Sequence, residues 1–222
     1  MSTIKLVIFD LDGTIVNAYK AVCESLNYAL KTLGYPPADD ETIQRSVGWG
    51  ERNLMSRFVK PEDVDKIIAI YRQHHKRSLK SGTKFMPGAK DLLKILKERG
   101  LLLAVATNRP QWSTQVILHH LKIQDYFQYV VSGDMVKRQK PDGEILAQIL
   151  QKFSLKPDEA VFVGDMTVDV ETGHNALVKT VAVATGSSTQ DELILSKPFK
   201  IVSYVLDVAK IVDELNVSAV GC

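Results

Sequence analysis

Apolar positions fall into two textures along this chain. From residue 17 to 82 they recur at helical spacing, whereas beyond residue 85 short apolar runs alternate with amphipathic stretches. The chain opens on Leu6-Val7-Ile8-Phe9, an uninterrupted apolar run of strand length, as expected for a strand buried on both faces of a parallel sheet. Ala18, Ala21, Val22, Leu26, Ala29, Leu30 and Leu33 then mark one helix, which Gly34-Tyr35-Pro36-Pro37 ends. Asp39-Asp40-Glu41 supplies acidic caps for a short second helix to about Ser46. Gly48-Trp49-Gly50 separates it from a third over 51–59. A fourth begins near Pro61 and runs to about Leu79, with Val64, Ile67, Ile68, Tyr71, His75 and Leu79 on one stripe. No strand is predicted inside this block.

The second texture begins with Pro87-Gly88 and a helix that carries Ala89, Leu92, Leu93 and Leu96 inward and ends at Gly100. Strands are predicted over 101–106, 129–131, 160–163, 180–184 and 199–202, with helices over 111–121, 142–153, 168–177 and 204–215. Such alternation predicts an α/β fold, a parallel sheet with helices on both faces. The helical block is then an insertion after the first strand. Its two ends must lie close together at the sheet's carboxyl edge, so the block sits over that edge as a lid.

Ligands in open parallel sheets bind beyond the carboxyl ends of the strands, and the polar residues of this chain gather there. The first strand ends in Asp10-Leu11-Asp12-Gly13-Thr14, where period-two geometry sets both carboxylates on one side and Gly13 lets the backbone turn. The plainer reading is two acids that only start a turn. Strand 101–106 ends in Thr107-Asn108, offering a hydroxyl and backbone amides suited to phosphate oxygens, or else an ordinary turn capped by Asn108. Strand 160–163 ends in Gly164-Asp165, with Asp169 four residues on, and both acids could equally cap a helix. Several carboxylates in one crevice repel by ~4 kcal/mol per close pair at an effective dielectric near 20. They call for a cation, and an all-oxygen donor set favours a hard one such as Mg²⁺. Lys140, before Pro141, is the natural counter-charge for Asp10 and a substrate phosphate, although Lys137 and Arg138 make a solvated basic loop an alternative.

Composition narrows the partners. The 222 residues include 28 basic and 26 acidic side chains, so no global charge points to nucleic acid or to a membrane surface. No apolar run reaches the ~20 residues of a membrane helix, and no signal-peptide pattern opens the chain. A soluble, cytoplasmic protein is expected, as monomer or homodimer. Cys23 and Cys222 have no metal-ligand spacing. Cys23 reads as packing, and Cys222 is the last residue, not a prenylation site.

Taken in order, Asp10-Leu11-Asp12-Gly13-Thr14, the Thr107 strand end, Lys140-Pro141, and Gly164-Asp165 with Asp169 resemble the four motifs of the haloacid-dehalogenase-like superfamily. The branch it is similar to is that of small phosphatases such as phosphoglycolate phosphatase. The resemblance implies a Rossmann-like doubly wound core over 1–16 and 83–222 and a four-helix cap over 17–82. It implies Asp10 as nucleophile through an aspartyl-phosphate, Asp12 as acid/base, and Leu11, Thr107, Asn108 and Lys140 around the phosphoryl group. Mg²⁺ would be held by Asp10, the backbone carbonyl of Asp12, Asp165 and Asp169. Dehalogenases need no acid two residues after the nucleophile, so Asp12 argues for phosphoryl transfer. A Mg²⁺-dependent phosphatase for 2-phosphoglycolate is the leading expectation. The alternatives are a β-phosphoglucomutase-like transferase, a pyrophosphatase, or a non-catalytic regulatory module. Two departures from the family pattern, Asn17 and Gly143, leave this chemistry untouched. In the cap, Gly48-Trp49-Gly50-Glu51-Arg52 looks like the family's substrate-reading loop, with Trp49 limiting the space and Arg52 binding a substrate carboxylate. A plain helix connection with Trp49 in the cap's core is the other reading. Glu171 and His174 are expected on an exposed helix face, and the run from Arg72 to Lys84 as a solvated basic face.

Overall fold

A computed structural model describes residues 2–220, with side chains to residue 218; Cys222 lies outside the described residues. β1 (Leu6–Phe9) is the centre of a six-stranded parallel sheet. β4 (Leu102–Thr107) and then β5 (Tyr129–Ser132) extend the sheet on one side of it. β6 (Ala160–Gly164), β7 (Lys179–Val183) and β8 (Lys200–Val202) extend it on the other. Leu6 pairs with Leu102 and Ala160, and Phe9 with Val105 and Val163. The chain leaves β1 in both directions across the sheet, so the crevice at its carboxyl end is the switch point where ligands bind.

The uninterrupted apolar run of β1 follows from this position. Val7 and Phe9 face one core with α5 (Ala89–Glu98), α6 (Gln111–His120) and α10 (Val208–Val220). Leu6 and Ile8 face the other with α7 (Glu144–Phe153). α8 (Thr167–Ala176) and α9 (Gln190–Ser196) cover the far part of that second face, through Val170 and Leu193 against Ala182. The expected helices and strands are present to within a few residues. α9 was not expected, although Thr189 caps it with its hydroxyl on the Glu192 amide.

Between β1 and β4 lie α1 (Tyr19–Thr32), α2 (Asp40–Ser46), α3 (Glu51–Ser56) and α4 (Val64–Gly82), the last entered through a 3-10 turn at Pro61–Asp63. Asp39 caps α2 by accepting the Thr42 amide, and α3 ends three residues short of the expected 51–59. Two short strands absent from the sequence reading, β2 (Val16–Asn17) and β3 (Lys84–Phe85), pair antiparallel and bring the ends of the helical block together. The block has its own apolar cluster, with Leu26, Leu30, Ile43, Met55 and Ile67. The first turn of α1 and the last of α4 instead join the sheet's core through Ala18, Ala21 and Leu79.

Phe162 is fully buried in β6 beneath Lys140, whose Nζ lies 5.6 Å from the ring centroid. Phe162→Ala should lower unfolding free energy by about 3–5 kcal/mol, read from the urea midpoint. Leu195→Ala, at a residue 79 % exposed on α9, should stay within about 0.5 kcal/mol of the parent.

Candidate active site

The last ladder bond of β1, from the Asp10 amide to the Val163 carbonyl at 2.8 Å, fixes Asp10 at the sheet's edge. Its Oδ1 accepts from Lys140 Nζ at 2.6 Å, and the same ammonium donates to Asp169 Oδ1 at 2.6 Å. Asp169 lies in the first turn of α8, where its Oδ2 accepts the amides of Asp165 at 3.2 Å and Met166 at 3.0 Å. Asp165 is held by the Thr14 hydroxyl at 2.8 Å and the Ser187 amide at 3.0 Å. The chain reaches Thr14 by a turn at Gly13, whose φ of +84° an L side chain rarely adopts. A Cβ there would also lie 2.4 Å from Asp165 Oδ2, so position 13 must be glycine.

Asp10, Asp165 and Asp169 are buried, and each offers an oxygen within 4.8 Å of the others. Burial raises the Asp10 carboxyl to about 7, with Lys140 opposing the rise and Asp169 and Asp12 adding to it. Asp165 is pushed well up by burial and then by Asp10 and Asp169. Burial also works against the charge on Lys140, but the Asp10 and Asp169 carboxylates outweigh it and hold the ammonium protonated. One ammonium thus pairs with two of three clustered carboxylates, and the donor set is all oxygen. These residues fit a hard divalent cation.

Asp12 belongs to a different arrangement. Its two oxygens take both arms of Arg109, from Nε and from Nη2, each at 2.8 Å. Arg109 is buried, and its Nη1 faces Nε2 of His75, on α4, at 3.1 Å. His75 Nδ1 lies 3.2 Å from the Ala21 carbonyl and 3.0 Å from Ser25 Oγ, whose own proton goes to the Ala21 carbonyl. Nδ1 therefore carries the proton and Nε2 accepts. Burial, then the Arg109 charge, depress His75 to about 2 and keep it neutral.

A cleft of about 530 Å³, measured to its open mouth, runs between sheet and helical block. Asp10, Asp12, Thr107, Asn108 and Arg109 line it from the sheet; Val47, Gly48, Gly50, Leu54, Tyr71 and His75 line it from the block. Gly48 has a φ of +105°, and a Cβ on it would meet Met166 Sδ at 2.2 Å, so the backbone itself comes down onto the core. Asn108 spends its side chain on structure: its amide donates to the carbonyls of Gly48 and Lys140, and its oxygen accepts the Lys140 amide. Thr107 is buried at the strand end, where its Oγ1 accepts the Arg109 amide at 3.2 Å. Leu11 is fully buried, and its carbonyl accepts the amides of Ile15 and Val16.

Two cap expectations need correction. Arg52 points away from the cleft into an exposed ion pair with Asp65, because on α3 the cleft-facing positions are Glu51 and Leu54, one turn apart, and Arg52 falls about 100° round the helix. Trp49 is half-buried and outside the cleft lining; its carbonyl accepts from Asn53. Glu171 and His174 are exposed, as expected. Arg109, His75, Thr14 and Ser187 had no assigned role in the sequence reading. Each of the first three had a positional signal: Arg109 two residues beyond Thr107 at a strand's carboxyl end, Thr14 in the motif that follows β1, and His75 on the apolar stripe of its helix.

A family model for haloacid dehalogenase-like hydrolases matches residues 7–183. The phosphoglycolate phosphatase of Rhodospirillum rubrum is 32% identical over 197 residues, covering 84% of this chain and 82% of that protein. Phosphoglycolate phosphatase 1 of Pseudomonas aeruginosa is 28% identical over 219 residues, covering 95% of this chain and 80% of that protein. Among solved structures, a predicted phosphoglycolate phosphatase from Haemophilus somnus superposes with a TM-score of 0.90 at 28% identity, covering 95% of this chain and 99% of that one. No described helix is long and apolar enough to cross a membrane.

Raised carboxylates must release protons before they can ligate a cation, so cation binding strengthens as pH rises to about 7 and above, the value to which Asp10 is raised. Mg²⁺ should therefore raise the melting temperature more at pH 8 than at pH 5. Each comparison is made at fixed pH, so the contribution of His75 cancels. An equal shift at both pH values would contradict the site.

Proposed function

This chain belongs to the haloacid dehalogenase-like hydrolase family, and from that premise we propose that it is a Mg²⁺-dependent phosphatase of a small phosphorylated metabolite, with 2-phosphoglycolate as the leading substrate. The observation that carries the reading is Asp10 itself, a buried carboxylate at the cleft's floor, bonded to Lys140 and backed by Asp165 and Asp169. The relatives named phosphoglycolate phosphatases support the substrate class.

In this reading an Asp10 oxygen attacks phosphorus and the P–O ester bond breaks. Asp12, an ion-paired carboxylate at rest, takes up a solvent proton as it leaves Arg109 and gives that proton to the departing oxygen, and an aspartyl-phosphate remains. Water then attacks that phosphorus and passes its proton to Asp12, which frees inorganic phosphate and restores Asp10. The Thr107 hydroxyl and the Leu11 and Asn108 amides take the phosphoryl oxygens, and Lys140 offsets the charge that grows on them. Mg²⁺, held by Asp10, Asp165, Asp169 and the Asp12 carbonyl, supplies further charge compensation when bound. The helical block over 17–82 acts as the cap that keeps bulk water from the ester.

Asp10→Asn should abolish phosphate release from 2-phosphoglycolate while leaving the melting temperature close to the parent's, since the change is nearly isosteric. Asp12→Asn should slow turnover by ~10²–10⁴, the usual contribution of a positioned acid/base. Wild-type-like turnover in Asp10→Asn would end the nucleophile assignment, and a metabolite panel giving no phosphate with the parent enzyme would end the phosphatase reading.

A further inference from the structure

Resting on the phosphatase reading, we infer that Arg109 is the residue that recognises a second anionic group on the substrate, a carboxylate close to the ester oxygen, and that Asp12 occupies that group's place in the structure described above. Among the described residues lining the cleft, Arg109 is the one cation, and His75 beside it is neutral. Arg72 is committed to Glu51, through contacts of 2.8 and 2.5 Å, and Arg52 pairs with Asp65 outside the lining. The guanidinium fork is already closed on a carboxylate, both contacts at 2.8 Å. A substrate carboxylate offers the same planar, bidentate acceptor.

The present pairing cannot persist through the reaction. Acid/base work requires an Asp12 oxygen turned to the departing ester oxygen, and both oxygens are engaged by Arg109. A neutral ester brings nothing that could replace Asp12 on the fork. A carboxylated ester does, and the exchange frees Asp12 when the right substrate has arrived. Geometry sets the length of that substrate as well. One side chain, Asp12, reaches Arg109 at rest and the ester oxygen in the reaction, so the anion that displaces it lies beside that oxygen. A carboxylate one or two carbons from the ester oxygen fits; one at the end of a long chain does not.

His75 makes the exchange possible without breaking the cap contact. It accepts from Nη1, the arm that Asp12 does not use, and it holds no charge to compete for the anion. Arg109 thereby stays tied to α4 while its other face changes partner. Val22, Val47 and Leu54 give the cleft apolar walls, which strengthens a charge-assisted contact made inside it.

Arg109→Met separates recognition from support. With 2-phosphoglycolate its kcat/KM should fall at least ~10-fold, as for loss of one charge-assisted contact. With phenyl phosphate its kcat should rise, because Asp12 is no longer held. Calorimetric binding of 2-phosphoglycolate in an Asp10→Asn background, which cannot turn over, should weaken by at least ~10-fold on adding Arg109→Met, while binding of phenyl phosphate should not weaken. Arg109→Lys keeps the charge without the fork and should fall between parent and Met on 2-phosphoglycolate, which settles the matter if the Met variant does not fold. Equal losses on both esters would overturn the inference in favour of a structural role, and undiminished binding of 2-phosphoglycolate would overturn it outright. An absence of phosphate release from any ester by the parent enzyme would sink the phosphatase reading alone, since the binding comparison needs no turnover.

Discussion

Three carboxylates buried within 4.8 Å of one another are the constraint around which this molecule is arranged. At an effective dielectric near 20, each close pair repels by roughly 4 kcal/mol, and no apolar packing nearby relieves that. Relief comes from groups delivered by separate loops. Lys140 arrives between β5 and α7, Thr14 follows the turn after Asp10, and the Ser187 amide comes from beyond β7. The parallel sheet is what makes this convergence possible, because all its strands release their chains at one edge. Lys140 itself stands on Phe162, in the core below. Losing one partner of such a buried set costs more than the pair is worth, since the other charge stays behind uncompensated.

Sheet and helical block meet differently from the way each is built. Each has its own apolar cluster, and Ala18, Ala21 and Leu79 from the ends of the block join the sheet's cluster near the β2–β3 pair. Beyond the packing of α4 on α6, the junction is made by single polar contacts: Asn108 to the Gly48 carbonyl, the Ser187 hydroxyl to the Gln44 carbonyl, and Arg109 to His75. Arg45 and Glu192 add an exposed ion pair, of the kind worth at most about 1 kcal/mol. Contacts of this sort can be exchanged singly, whereas an apolar interface would have to be opened as a whole. The cleft lies where they are.

What was legible in the sequence follows from range. Apolar period revealed every strand of the six-stranded sheet, because a doubly buried strand such as Leu6–Phe9 cannot hide its pattern. β2 and β3 were invisible, since two residues carry no period and their pairing joins positions far apart in the chain. α9 sits behind Ser187-Ser188-Thr189, which reads as loop, although Thr189 with Glu192 was a capping signal there to be used. At the site, Asp10, Asp12 and Asp165 stood out as carboxylates just past the ends of buried strands, whereas Lys140 and Asp169 stood out only once the four motifs were taken in order. Arg109 and His75 were legible as residues but not as a pair. The apolar stripe of α4 already placed His75 inward, and the packing of α4 against α1 and α6 buries it, but nothing in the sequence paired it with Arg109.

The contrast between Arg52 and Arg109 carries the same lesson into specificity. Both are arginines near a loop that borders the cleft, and on an exposed helix such as α3 one residue of phase decides whether a side chain faces ligand or solvent. At a strand end there is less freedom: the Arg109 side chain is mostly buried, opens only on the cleft and must have acceptors for its donors. Asp12 and His75 supply them in the resting molecule. A ligand can shift this arrangement only by as much as it binds one partnering better than the other. A carboxylate offered to the fork leaves the guanidinium as well paired as before, so the switch costs little there, and its balance falls on Asp12. In the proposed reading, the released carboxylate takes up a proton beside the ester and serves there as the acid. Reading the substrate and arming the acid are then the same exchange of partners.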